Sequence, residues 1–133
     1  MSAKLLFTVG ILVLSVQLSG CGQSTVSYAA DVHPIFQRHC LECHNRSGEG
    51  VAASGFSVQD YASVMKGTNF GPVVVPGSSI SSTLYLLIAQ KTAPEIQMPP
   101  QHPESLAEGR GTALSEKEIE IVAAWIDQGA QDN

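Results

Sequence analysis

Apolar residues recur at intervals of three and four along most of this chain, a period typical of helices that bury one face. No stretch of any length alternates apolar and polar residues with the period of two that indicates a strand. The first predicted helix begins near Asp31, a good N-cap residue, and tolerates Pro34 in its first turn. One face of this helix collects Val32, Ile35, Phe36, His39, Cys40 and Cys43. The pattern therefore predicts an all-α fold whose first helix ends in two cysteines on one face.

Three further helices complete a predicted fold of about four helices. The second spans about residues 58–66, and the third begins at N-caps among residues 79–82 and reaches about residue 90. The last has the clearest signals, because Ser115 and Glu118 form a capping box in front of an apolar stripe. Two stretches rich in glycine, proline and polar residues are predicted to be loops: residues 45–55 and 91–113.

The first twenty residues have the pattern of a secretory signal peptide. Lys4 gives a short positive start, and residues 5–18 form an apolar run that is too short to span a membrane. The run ends in Leu18-Ser19-Gly20-Cys21, which resembles the lipobox of bacterial lipoproteins. The resemblance implies cleavage before Cys21 and a lipid on that residue; an ordinary secretory signal with a chance cysteine is the alternative. In both cases the mature chain is exported, and a lipid would hold it on a membrane surface without a spanning helix.

The predicted organisation is a signal peptide over residues 1–20, a small polar tether over 21–27 and one domain over 28–133. The whole chain has 12 acidic and 7 basic residues, a formal net charge of -5. Removal of residues 1–20 takes away Lys4 and no acidic residue, so the formal charge of the mature chain becomes -6. This charge argues against nucleic acid as a partner and favours proteins with basic patches.

Cys40-Leu41-Glu42-Cys43-His44 is the strongest chemical signal in the chain. Two cysteines three residues apart on a helical turn project to one side, so each sulfur can form a thioether to one vinyl group of a porphyrin. The ring of the following histidine can then lie under the iron as an axial ligand. The spacing predicts one covalent haem c, with Cys40 and Cys43 as attachment points and His44 as the proximal iron ligand.

A second feature lies in the long predicted loop, where Ile96-Gln97-Met98-Pro99-Pro100 offers a thioether for the sixth position of the iron. A thioether favours Fe(II) and raises the reduction potential, and the proline after it restricts the backbone. Met98 is therefore the predicted distal ligand. Met65 is explained by packing in a predicted helix, and His102 is the rival ligand in the same loop.

These motifs follow one another in an order that resembles the class I c-type cytochromes. The segments that extend the resemblance are Val75-Pro76-Gly77-Ser78 and Trp125-Ile126-Asp127-Gln128-Gly129-Ala130. The chain is most similar to the planctomycete-type cytochrome c domain, over about residues 28–130. The resemblance implies an all-helical fold around one haem, with His44 proximal, Met98 distal and the first and last helices crossing. Residues 101–112 form a longer stretch than many members of the family need.

The sequence is compatible with three functions. The preferred one is a one-electron carrier, not an enzyme, that is lipid-anchored on the periplasmic side of a bacterial membrane and exchanges electrons with exported redox proteins. The alternative is a haem c sensor or enzyme with an open or displaceable sixth ligand, but no second cluster of His, Cys, Asp or Glu suggests acid–base machinery. A zinc site or thiol redox pair at Cys40, Cys43 and His44 is disfavoured, because it lacks a fourth ligand at suitable spacing and a βαβ pattern.

Overall fold

The computed structural model of the protein describes residues 24–101, 103–108 and 111–133. The predicted signal peptide, the predicted lipid site Cys21 and the rival ligand His102 lie outside these residues. Within them the all-α prediction is confirmed, since the described residues form helices and turns and no strand. The β-type pairing in this part of the chain is an isolated bridge between Thr68 and Gly71. The α-helices are α1 (His33–His39), α2 (Leu41–His44), α3 (Glu49–Ser54), α4 (Tyr61–Lys66), α5 (Thr83–Ile88), α6 (Pro103–Ala107) and α7 (Glu116–Asp127). The helices are thus shorter and more numerous than the four predicted.

The first helical segment begins at Tyr28 rather than near Asp31. Ser27 is its N-cap: the Ser27 hydroxyl accepts a hydrogen bond from the N–H of Ala30 at 3.1 Å, and the Asp31 carboxylate accepts one from the N–H of Ser27 at 2.8 Å. Residues Tyr28–Val32 adopt π-helical geometry and continue directly into α1. Asp31 therefore lies in the first turn, where its charge suits the helix dipole. The predicted start was wrong because an equally good N-cap residue stands four positions earlier.

The boundaries of α4 and α5 also differ from those predicted. α4 begins three residues later than expected, because Asp60 is its N-cap and accepts a hydrogen bond from the N–H of Ser63 at 2.8 Å. A 3₁₀ turn (Ser79–Ser81) precedes α5, which ends at Ile88 and so falls short of residue 90.

Both predicted loops contain helices. The loop predicted over residues 45–55 holds α3, and the loop predicted over 91–113 holds a 3₁₀ turn (Pro94–Ile96) and α6. Helices of three to six residues display too little of an apolar period to stand out from their glycine- and proline-rich surroundings. Their stability in the protein comes from packing and not from sequence preference.

The prediction for α7 is confirmed. The Ser115 hydroxyl accepts a hydrogen bond from the N–H of Glu118, and the Glu118 carboxylate accepts one from the N–H of Ser115 at 2.9 Å, which completes the capping box. The helix buries the stripe Val122, Trp125 and Ile126.

The first and last helical segments pack together, as the family resemblance implies. Tyr28–Val32 contacts α7, and Ile35 and Phe36 share one buried core with the apolar stripe of α7. The N–H groups of Tyr28 and Ala29 donate to the side chain and the backbone carbonyl of Asn133 at 2.8 and 3.0 Å. The two ends of the domain therefore hold each other. No helix of the described residues is long and apolar enough to cross a membrane.

The two outlying motifs of the resemblance also meet in space. The N–H of Gly77 donates to the carbonyl of Ile126 at 2.7 Å. The N–H and the hydroxyl of Ser79 donate to the two carboxylate oxygens of Asp127 at 2.6 and 3.0 Å. The chain that leads into α5 is thus fastened to the end of α7, which fixes the position of α5 beside the core.

Candidate cofactor site

The Cys40–His44 motif lies at a break between two helices rather than within the last turn of one helix. Cys40 has a φ of -126° and separates α1 from α2. Hydrogen bonds still run through the break, from the N–H of Cys40 to the carbonyl of Phe36 at 2.9 Å and from the N–H of His44 to the carbonyl of Cys40 at 2.8 Å. The motif is therefore held on both sides by helical hydrogen bonds.

A cavity of about 400 Å³ opens beside the motif. All four residues predicted to hold the haem line it: Cys40, Cys43, His44 and Met98. Its walls are largely apolar, and they include Phe56, Val73, Leu84, Leu87, Ile88 and Pro99. Because four of these wall residues, Phe56, Val73, Leu84 and Ile88, also belong to the buried core, the cavity is continuous with the interior of the domain. Its volume lies within the range of about 300–1,000 Å³ that is usual for sites of small molecules and cofactors.

The two cysteines are free thiols that are not joined in a disulfide. Burial, together with the neighbouring Cys43, raises the pKa of the Cys40 thiol to about 12. A thiol redox pair needs the opposite, because a lowered pKa supplies the reactive thiolate. The raised pKa of Cys40 thus argues against the thiol redox alternative.

His44 is fixed by a backbone carbonyl. Its Nδ1 lies 2.9 Å from the carbonyl oxygen of Phe56. Since a carbonyl only accepts hydrogen bonds, Nδ1 carries the proton, and Nε2 keeps the lone pair that binds a metal. The ring of Phe56 packs edge-on against the His44 ring, with 5.4 Å between the ring centres. This arrangement is the outer-shell support that metal-ligating histidines generally have.

Met98, on the lining of the same cavity, is anchored to α5. Its N–H donates to the carbonyl of Leu87 at 3.2 Å, which ties the methionine to α5, and the following residue Pro99 is buried. Met65, by contrast, lies in α4 and packs against the hydrophobic core. Met65 is not among the residues that line the cavity, so core packing explains it, as expected from the sequence.

A polar cluster forms one side of the cavity. His39 Nδ1 lies 3.2 Å from the carbonyl oxygen of Thr112, and His39 Nε2 lies 3.1 Å from the carboxylate of Glu118. Arg38 also contacts that carboxylate, at 2.6 Å. Hydrogen bonds hold the pKa of Glu118 at about 2; the N–H of Ser115 contributes most, and its hydroxyl and His39 add to it against the effect of burial. Glu118 therefore remains an anion that ties α1 and residue 112 to the start of α7.

The stretch 101–112 had no function predicted from the sequence. Its two ends are joined by hydrogen bonds of the Gln101 side chain. The Gln101 side-chain amide donates to the carbonyls of Pro99, Pro100 and Gly111. Gly111 has a φ of +93°, and an added Cβ there would lie 2.1 Å from the carbonyl oxygen of Pro100, so the close approach needs glycine. Gly111 and Thr112 at the far end of the stretch line the cavity together with Pro99 and Pro100, which precede the stretch, whereas α6 does not.

Two contributors to the site were missed from the sequence: Gly50 in α3 and the carbonyl of Phe56. Both lie in or beside the stretch predicted as a loop, and neither residue type signals a role in binding. In the part of the chain that the structure describes, no group of three or more His, Cys, Asp or Glu side chains is placed to hold a metal ion directly. The zinc alternative therefore has no ligand set among these residues, whereas two free thiols, an imidazole and a thioether around one apolar cavity fit a covalent haem.

Comparison with known proteins agrees with this chemistry. Residues 40–102 match the family model described as Planctomycete cytochrome C, a stretch that includes the Cys40–His44 motif and Met98. The match and the helical fold agree with a c-type cytochrome domain, a family that suggests a haem-binding protein of electron transfer. More particularly, the matched stretch is similar to the planctomycete cytochrome C domain, the family that the sequence motifs indicated, and that family implies covalent haem c. Comparisons with curated proteins and with solved structures gave no match.

Proposed function

We propose that this protein is an exported, lipid-anchored cytochrome with one covalent haem c, and that it carries single electrons between exported redox proteins. The proposal gives Cys40 and Cys43 the thioether links, His44 the proximal position on the iron and Met98 the distal position. The observation that carries it is the convergence of these four side chains, from two distant parts of the chain, on one apolar cavity. A bound haem supplies a reversible one-electron couple at its iron.

The residues of the chain have three tasks in this function. The carbonyl of Phe56 keeps His44 in the tautomer that presents Nε2. The hydrogen bond from the N–H of Met98 to the carbonyl of Leu87 holds the backbone of the methionine at the cavity. The apolar walls exclude water, which disfavours the extra positive charge of Fe(III) and so supports a high reduction potential.

Visible spectroscopy of the purified protein tests the carrier function. The reduced protein is expected to show the absorption bands of haem c, and the oxidised protein a weak band near the red end of the spectrum that reports sulfur on the iron. Carbon monoxide is expected to bind the reduced protein slowly or not at all, because both axial positions are filled. Rapid, stoichiometric binding at neutral pH would instead support the sensor or enzyme function.

Export and anchoring rest on residues 1–21. The tether in front of the domain is short, because the Gln128 side chain already bonds the carbonyl of Ser24 at 3.3 Å and the N–H of Val26 at 2.8 Å. A lipid on Cys21 would therefore keep the domain within about 10 Å of the membrane surface, the reach of three extended residues.

Cys21→Ser is expected to release the protein from membrane fractions or to stall its processing, while leaving the haem content unchanged. The reason is that the thiol of Cys21 receives the lipid in this proposal, whereas Cys40 and Cys43 provide the thioether links. Fractionation and mass spectrometry of the mature amino terminus measure both effects. An unmodified amino terminus formed by cleavage at another residue would contradict the lipid anchor.

A further inference from the structure

The Ser54 hydroxyl bridges two segments that both touch His44. Ser54 is the last residue of α3, and its Oγ donates to the carbonyl of Gly50 at 2.6 Å. The same oxygen accepts a hydrogen bond from the N–H of Phe56 at 3.1 Å. One side chain thus connects the backbone of α3 to the peptide that follows it.

Gly50 lies directly against the His44 ring. A Cβ added to Gly50 would lie 2.6, 2.7 and 2.8 Å from three atoms of that ring. Contacts below 3.0 Å are not found for real Cβ atoms, so the ring can occupy its place only because residue 50 has no side chain. Helix propensity alone would favour alanine within α3, and the glycine is therefore explained by the ring and not by the helix.

Phe56 holds the same ring from another direction. Its carbonyl accepts the Nδ1 proton at 2.9 Å, and its ring packs against the imidazole edge. Because Ser54 fixes the N–H of Phe56 as well as the carbonyl of Gly50, the two contacts on the imidazole are mechanically linked through one hydroxyl.

We propose that Ser54 is a positioning residue for the proximal ligand, which joins Gly50 and Phe56 into a single clamp that fixes the plane of the His44 ring and the strength of its Nδ1 hydrogen bond. This inference rests on the proposed role of His44 as iron ligand. A firm Nδ1–H···O=C bond raises the basicity of a ligating imidazole. Higher basicity stabilises Fe(III), so the clamp lowers the reduction potential that Met98 raises.

Ser54→Ala is the direct test. In the reduced, diamagnetic holoprotein, nuclear magnetic resonance measures the exchange of the His44 Nδ1 proton with solvent, and a redox titration measures the potential. We expect exchange about fivefold faster than in the unaltered protein, the size of effect expected for a weakened hydrogen bond. The reduction potential is expected to rise at the same time.

Two variants serve as controls. Ser54→Thr keeps a hydroxyl that can bond the carbonyl four residues earlier, and it is expected to restore both measurements. Ser57→Ala removes a hydroxyl that accepts only from the N–H of Gln59 in the same segment, and it is expected to leave both unchanged. An unaltered proton exchange in Ser54→Ala, or an equal change in Ser57→Ala, would overturn the inference.

Gly50→Ala tests the other half of the clamp. It is expected to displace the His44 ring and to raise the potential more than Ser54→Ala does; values equal to those of the unaltered protein would contradict the clamp. Should this variant fail to fold, Ser54→Ala still decides. The resonances of His44 distinguish failure of the proposed ligation from failure of the clamp. His44 ring resonances without the porphyrin ring-current shift in the unaltered protein would refute the ligation. Shifted resonances that do not change in Ser54→Ala would refute the clamp alone.

Discussion

Replacing both Cys40 and Cys43 by alanine is expected to abolish covalent haem, since the two sulfurs are the only described thiols on the cavity and no other side chain there can form a thioether to a vinyl group. Each single replacement is expected to weaken retention, because one link then remains. The measurement is the haem that stays with the chain after denaturation, which thioethers survive. Cys21→Ser is the matched control, as it removes the third cysteine of the sequence and leaves Cys40 and Cys43 in place.

The same double variant is expected to fold poorly. Val73, Leu84 and Ile88 form both the cavity wall and part of the core, so loss of the group that fills the cavity exposes core residues to water. Circular dichroism and thermal unfolding are expected to show less helix and a lower Tm than in Cys21→Ser. Covalent haem in the double variant would refute the central assignment of the two cysteines.

Two local signals in the sequence, the attachment motif and the capping box, were sufficient to predict the cofactor site and the last helix. The attachment motif is contiguous, and the capping box of α7 needs only residues three positions apart, so local chemistry determines both. The pairing of His44 with Met98 across one cavity came from the general preference of cytochromes for these ligands, and the structure brings both residues to that cavity.

The contacts that position the His44 ring could not be predicted from local sequence. Its hydrogen-bond partner is a backbone carbonyl twelve residues away, and a carbonyl is present at every position of any sequence. The fit of Gly50 against the imidazole depends on α3, a helix of six residues inside a glycine-rich stretch. Such contacts arise from tertiary packing, which a local apolar period does not encode.

The start of the first helical segment also could not be predicted from local sequence. Both Ser27 and Asp31 are good N-cap residues, and they bond to each other across the first turn. The start at Ser27 has additional support from Asn133, whose carbonyl accepts from the Ser27 hydroxyl and whose side chain accepts from the N–H of Tyr28. The contact with Asn133 thus favours one of two helix starts that local chemistry leaves open.

Met98→Ala is expected to lower the reduction potential by roughly 0.1–0.3 V, a part of the range of about 0.8 V over which axial ligands set haem potentials. Loss of the thioether removes the soft ligand that favours Fe(II), and it opens the sixth position to water and carbon monoxide. Met98→His is expected to lower the potential as well, but to keep a six-coordinate iron that resists carbon monoxide. Redox titration and the rate of carbon monoxide binding to the reduced protein measure the two effects.

Met65→Leu is the control for the choice of methionine. Met65 packs against the core from α4 and is absent from the cavity lining, so leucine should fill its place and leave the spectrum and the potential nearly unchanged. The weak red band of the oxidised protein is then expected to vanish in Met98→Ala and to persist in Met65→Leu. The reverse result would assign the sulfur ligand to Met65. Absence of the band from the unaltered protein would contradict methionine ligation and direct attention to His102, the remaining rival.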